Sequence, residues 1–543
     1  MSLKPDPIPP IPALTAQVAR AAFPKGNTYL YMRDTLGTLF TDEQFADLFP
    51  TQGQPAASPW RLALVTILQF MENLTDRQAA DAVRSRVDWK YLLSLELTDA
   101  GWDHTVLSEF RTRLVAQAAE ERLLQTVLTL CQEHGWLKTR GKQRTDSTHV
   151  LAKVRALNRL ECVGQTMGHV LTVLALVAPD WIHAHADPTW VQRYAHRIEE
   201  YRLPKGADER LHLANTIGAD GWTLLHHLDD EATPAWLRDL PAVRTLRHIW
   251  IQQYDSLEEG GRWRQDLERY AIRTPFDLDA RAAQKRGMFW VGYKAHFTET
   301  CDENQPHVIT QVTTTTGADT DAHALPAIHA LLAQRGLLPA VHEVDAGYVD
   351  AHLLVSSQEE YGVDVVGPPG EDHRWQAREQ TGYALADFHI DWEQQQAQCP
   401  QGQTSSSWTV TKTREQEVLK ITCAYTKCGP CPARQQCTIA GRRTLAVRPQ
   451  AKFIAQEAAR QRAMTAECKQ LYHQRAGIEG THAQAVRRCG VRRSRYIGEP
   501  RTHLQHVATA TGINLYRITA WMQGIPCATT KVAPFVDLMT AIA

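Results

Sequence analysis

The sequence predicts an α/β protein: a mixed sheet with helices, to which are added an all-helical N-terminal domain, a helical insertion and a small β-rich insertion that carries cysteines. Three observations lead there. Strand patterns recur at 289–300 (FWVGYKAHFTET), 307–316 (HVITQVTTTT) and 338–350 (LPAVHEVDAGYVD), with a helical pattern between the last two, and a βββαβ run of this kind forms a mixed sheet. Apolar residues at helical spacing dominate 26–137 and return in 155–285. Five of the 11 cysteines crowd between Cys399 and Cys437, in a polar stretch that contains an apparent hairpin.

Bulk properties bound the possibilities. At 543 residues the chain exceeds one simple core and suggests three or four units of roughly 150 residues, or one domain with large insertions. No apolar run reads as the roughly 18 residues that span a bilayer, and MSLKPDPIPPIPALTAQVAR lacks the basic-then-apolar order of a signal peptide. These features predict a cytoplasmic protein with no membrane partner. A net charge of −1 gives no sign of a nucleic-acid binder, yet charge is segregated: 441–520 holds 15 Lys and Arg against 4 Asp and Glu, and 199–268 is richer in acids. The cysteines are odd in number and unevenly spaced, unlike a secreted disulfide framework. Cys131, Cys162, Cys301, Cys468, Cys489 and Cys527 read as small buried hydrophobes.

In chain order, PDPIPPIP predicts a disordered, proline-rich arm over 1–25. The helical domain follows over 26–137. It includes an apolar helix at 61–74, a second opened by the Thr75/Gln78 capping box, and a third from Asp103. Such short helices suit either DNA reading or dimerisation. The catalytic unit is expected over 138–543. GKQRTDSTHVLAKV is its first strand, with Asp146 near the centre; the helical insertion occupies about 155–285. Asp345 ends a later strand just before a glycine, a usual position for active-site groups in α/β sheets. The β-rich insertion is expected over about 371–445, and helices resume at 450.

Within these helices, LYHQRAGIEGTHAQAVRR places Glu479 in basic surroundings. On one continuous helix, Tyr472, Arg475, Glu479 and His482 would share a face. The plain reading is an Arg475/Glu479 surface pair, which stabilises a helix by only about 0.2–0.5 kcal/mol. Asp146 and Asp345 alter that reading, because three carboxylates from distant segments suit hard Mg²⁺ or Mn²⁺ ions and would repel one another without them. Gly477 and Gly480 conflict with a simple helix, each costing about 1 kcal/mol in a helix interior. Either the helix starts near Gly477 or backbone approaches a ligand closely there.

TDSTHV around Asp146, GYKAH, VDAGYVD around Asp345, and Tyr472-x2-Arg475-x3-Glu479 occur in an order that resembles the DDE transposases of bacterial insertion sequences, in the subgroup with a Tyr-Arg-Glu signature. That signature continues to a lysine, where this chain has Val486 followed by Arg487 and Arg488. The resemblance implies an RNase H-like catalytic domain in which Asp146, Asp345 and Glu479 hold Mg²⁺ or Mn²⁺. It implies that Tyr472 and Arg475 contact DNA near the element end, and that Arg487, Arg488, Arg492, Arg493 and Arg495 bind its backbone. Terminal inverted repeats and target DNA would be the partners, held by a homodimer or larger assembly, nucleoid-associated when bound. The expected reaction is phosphodiester hydrolysis followed by strand transfer. An RNase H-like nuclease that cuts without joining, or an inactive DNA-binding regulator, is the alternative.

Cys399, Cys428, Cys431 and Cys437 offer four thiolates for a structural Zn²⁺; an iron–sulfur cluster or unliganded thiols fit the same pattern, and Cys423 is a spare candidate. The 23 histidines, among them His149, His183, His185, His323 and His329, read as packing or surface residues.

Overall fold

The computed structural model describes residues 2–257, 261–285, 287–370, 374–379, 382–413, 416–525 and 535. Its centre is a six-stranded mixed sheet of β1 (Lys142–Leu151), β2 (Arg281–Lys285), β3 (Met288–Thr300), β4 (Ile309–Thr316), β5 (Val341–Val344) and β6 (Asp364–Val366). Strand order is β2-β3-β1-β5-β6, with β4 also on β3. β3 runs antiparallel to β1, β2 and β4, whereas β5 and β6 are parallel to β1. This is the arrangement of an RNase H-like α/β fold. The Thr-, Val- and aromatic-rich segments form the sheet because such side chains suit a pleated, half-buried surface.

The helical N-terminal region forms largely as its signals predict. Thr75 accepts from the Gln78 amide while the Gln78 side chain returns to the Thr75 amide, closing the expected box on Asp76–Ser85. Asp103 caps His104–Ala116. Two differences stand out. The segment expected as a disordered arm carries a helix, Ala13–Ala22, whose Thr15 and Ala19 are buried, and the Ser2 amide donates to the Gln54 carbonyl at 2.6 Å. Proline shapes the approach to this helix, with Pro12 as N-cap, without preventing it. The region also shares one continuous core with the sheet, from Leu3 through Phe70, Phe297 and Val344 to Ile518. The shared core comes from the C-terminal helix Glu499–Met522, which packs on Pro59–Met71, Arg122–Glu133 and β4.

The helical insertion has a separate core around Met167, Ile217, Leu246, Trp250 and Tyr254. Helices fill it to Gln253, but 281–285, expected as helix, is β2 because its backbone pairs with β3. Arg159–Val177 is long and apolar enough to cross a membrane by length and composition, and half of that window is buried against the rest of the molecule. The β-rich insertion holds a hairpin of β7 (His389–Asp391) and β8 (Gln396–Gln398). It also holds a sheet of β9 (Ser407–Thr413), β10 (Gln416–Thr422) and β11 (Thr444–Val447). The chain then returns through Gln450–Ala463, held to the edge of the main sheet by Arg462 on Asp364 at 2.7 Å and on the Val365 carbonyl at 3.1 Å.

Candidate active site

Parallel pairing brings the two aspartates together. β1 and β5 run in register, Arg144 against Glu343 and Thr145 against Val344, so the next residue on each strand is Asp146 or Asp345. Each uses one oxygen locally: Asp146 Oδ1 accepts the Ser147 amide and Asp345 Oδ1 the Ala346 amide, both at 2.8 Å. Asp345 is also the cap of the 3-10 turn Ala346–Tyr348, a turn that ends the strand at the carboxylate.

Glu479 comes from the far end of the chain. Of the two readings of Gly477 and Gly480, the structure has the helix that starts at Gly477: Ala466–Arg475 and Gly477–Cys489 are separate, with the break at Ala476. A Cβ at Gly477 would run into the guanidinium of Arg144. Arg144 cannot yield, since its side chain is 6% exposed, is paired with Glu299 at 2.7 Å and donates to the Gln474 carbonyl. The helix can therefore cross the sheet at this height only as glycine.

Across the break, the three signature residues still meet. Arg475 lies 3.5 Å from Asp146 Oδ2 and 3.6 Å from Glu479 Oε1, and the Tyr472 hydroxyl lies 3.4 Å from Asp345 Oδ1. The Arg475 guanidinium also sits over the Tyr472 ring, 5.0 Å from its centroid. Burial alone would lower the Arg475 pKa, but Asp146, Tyr472 and Asp345 carry it above its ordinary value. Although Arg475 is buried, its Nε and Nη1 have no hydrogen-bond partner. The Glu479 side chain is 67% exposed and stands at the rim. His482 is buried beneath it and stacks on Phe297, with centroids 5.4 Å apart. Among the described residues no group of three or more His, Cys, Asp or Glu stands in a metal-holding arrangement.

Two groups escaped the sequence reading. Glu343, two residues before Asp345 on the same strand face, is buried with both carboxylate oxygens unpartnered. Burial pushes it up to about 7 against the pull of Arg144, Lys142 and Arg475. Its i, i+2 relation to Asp345 was the available signal. Glu299 is the hub of a buried network: Arg144 donates to one carboxylate oxygen at 2.8 Å, and Thr481 and Arg517 donate to the other at 2.6 and 2.8 Å. Thr481 is two residues from Glu479, so this network fixes the helix that carries it. Its members lie hundreds of residues apart, and no local pattern marks them.

The remaining arginines fall into two groups. Arg487, Arg492 and Arg493 are exposed, although Arg492 Nε also reaches the Thr148 hydroxyl at 3.1 Å. Arg488 lies over the Tyr516 ring at 4.3 Å. Arg495 donates to the Leu74 carbonyl and lies over Phe70 at 5.0 Å, contacts that hold the N-terminal helices. Val486, at the position of the signature lysine, packs against the main core. Cys399, Cys428, Cys431 and Cys437 meet around one cavity of the β-rich insertion, joined by Cys423. Cys131, Cys162, Cys301, Cys468 and Cys489 are buried as expected, and Cys527 lies outside the described residues.

Two family models match the chain. One, described as a transposase DDE domain, matches 398–519 and includes Tyr472, Arg475 and Glu479. The other, described as a transposase domain (DUF772), matches 17–113, the N-terminal helices. No curated protein and no solved structure matches the chain.

Proposed function

We propose, from the premise that this chain belongs to the DDE transposases of the insertion-sequence type, that it binds the ends of its element, cuts them, and joins them to target DNA with Asp146, Asp345 and Glu479 as the catalytic carboxylates. The observation that carries this reading is the link Tyr472 and Arg475 make between all three acids. Carboxylate oxygens are the donors that Mg²⁺ and Mn²⁺ prefer. The donor chemistry fits: each aspartate keeps one oxygen clear of its backbone bond, and Glu479 would leave its pair with Arg475 at the rim to join them. Asp146, Asp345 and Glu479 would hold the ions. When bound, they would supply Lewis acidity that activates water or a 3′-hydroxyl and offsets charge on the leaving oxygen.

The chain's own groups do the rest. Arg475, whose Nε has no hydrogen-bond partner and whose Nη1 meets Asp146 only as a 3.5 Å ion pair, donates to a phosphate oxygen and holds the scissile group against the aspartates. The Tyr472 hydroxyl keeps Asp345 in place. Arg487, Arg492 and Arg493 lie on the surface just beyond Glu479 and contact backbone phosphates. Arg488 and Arg495, engaged with Tyr516 and Phe70, shape that surface. Two ends must meet for joining, which favours a dimer or larger assembly on DNA.

Incubating the protein with terminal-inverted-repeat DNA and Mg²⁺ tests the reading, with Glu479→Gln as control. Cutting and joining that vanish in the variant, while binding persists, are expected. Cutting without joining would leave a nuclease, and binding alone would leave a regulator.

A further inference from the structure

The β-rich insertion is too small for its core. Among its described residues, the core cluster of buried apolar side chains is Leu385, Phe388, Ala397, Leu419, Ile421, Leu445 and Val447. A unit with so little buried surface usually needs a staple. The turns of this insertion deliver five thiols to one spot. Cys399 directly follows β8, Cys423 directly follows β10, and Cys428, Cys431 and Cys437 lie in the connection to β11. All five line a cavity of about 30 Å³, the volume of a single water molecule or ion.

The backbone around Cys399 folds into a tight turn. In Cys399-Pro400-Gln401-Gly402-Gln403, the Gly402 amide closes the turn onto the Cys399 carbonyl at 2.8 Å, with Gly402 at φ +74. The Gln403 amide then donates to Cys399 Sγ at 3.4 Å. Facing it, the Cys431 amide donates to the Cys428 carbonyl at 3.2 Å, folding Cys428-x2-Cys431 into a tight turn that presents both thiols to the cavity. Cys423 differs from the other four. It is buried, 4% exposed, whereas they are partly exposed.

We propose that Cys399, Cys428, Cys431 and Cys437 bind one structural Zn²⁺ that staples the β-rich insertion, with Cys423 a neighbouring non-ligand. Four thiolates suit zinc, which takes tetrahedral sulfur sets in structural sites. The thiols stand apart at the cavity wall rather than in ligand geometry, so binding draws them inward and releases their protons. The staple joins the end of β8 to the β10–β11 connection. It thereby fixes the exit through β11 into Gln450–Ala463, the helix that leads back to Tyr472. The site is independent of the carboxylate chemistry, and its test does not read activity.

Full-length protein purified without chelator is assayed for metal by mass spectrometry, and zinc release is followed with a chromogenic chelator during mercurial titration. One zinc per chain is expected, released in step with modification of four thiols. Cys428→Ser and Cys431→Ser reduce the zinc content at least about tenfold, and Cys423→Ser leaves it unchanged. The wild-type titration stands even if a variant fails to fold. Protein without zinc, iron in its place, disulfides among these cysteines, or equal loss of zinc in Cys423→Ser would each overturn the assignment.

Discussion

Gly477 illustrates how one residue can place a candidate catalytic group. Its missing side chain lets the Glu479 helix pass over Arg144, which Glu299 and the Gln474 carbonyl hold immobile. Gly477→Ala is therefore expected to destabilise the protein by about 1–3 kcal/mol, the usual cost of overpacking, despite the better helix propensity of alanine. Urea denaturation checks this; an unchanged or higher midpoint contradicts it. Arg475 makes the second residue-scale case. Arg475→Lys keeps the charge but loses the planar fork, so cleavage should fall by at least tenfold while folding is retained. Single-turnover cleavage with circular dichroism in parallel separates the two.

At the scale of elements, the Glu299 network decides where the late helix sits. Burial would raise the Glu299 pKa, but Arg517 and Arg144 outweigh it and hold the carboxyl below its ordinary value. Its contribution is thus present above the carboxylate range of the unfolded chain and is lost as pH falls through the lower folded value. Glu299→Gln leaves the buried Arg144 and the half-buried Arg517 without their counter-charge, and breaking a buried pair costs about 3–5 kcal/mol. The expected result is a lower unfolding midpoint together with weaker cleavage; a change in cleavage alone would argue against a positioning role. The same scale shows what local signals could do. The Thr75/Gln78 box and the Asp103 cap were legible because capping is a matter of three or four consecutive residues. The break at Ala476 was legible as one of two readings of Gly477 and Gly480, but the group that requires glycine at 477, Arg144, is more than 300 residues away.

For the whole molecule, four histidines buried in and around the sheet set the acid limit. Burial lowers His296 and His329 to about 4, His506 to about 3, and His342 well below its ordinary value. The unfolded chain takes up these protons first, near pH 6.5. Stability is therefore full above that pH and declines as pH drops toward 4, by on the order of 1.4 kcal/mol per pH unit for each group while it is protonated only in the unfolded state. Thermal melts from pH 7.5 to 5 should show a falling midpoint, and His506→Gln should flatten the decline. Charge segregation is the other global property. If Arg487 and Arg493 contact phosphates, replacing each with alanine lowers the salt slope of DNA binding by about 0.9; an unchanged slope removes that residue from the interface.

The sequence alone determined the fold class, because strand and helix periodicities are local. It also determined the candidate acids, because each sits in a short motif whose order along the chain is itself informative. The candidate thiols were legible for the same reason of spacing. Only the tertiary structure decided how these pieces meet. Parallel register set Asp146 beside Asp345, Arg475 came between Asp146 and Glu479, and the Glu499–Met522 helix merged the N-terminal region into the main core. The Glu299 network became visible only there as well. The physical reason is that burial and pairing depend on groups far apart in the chain, whereas a motif records only its own neighbours.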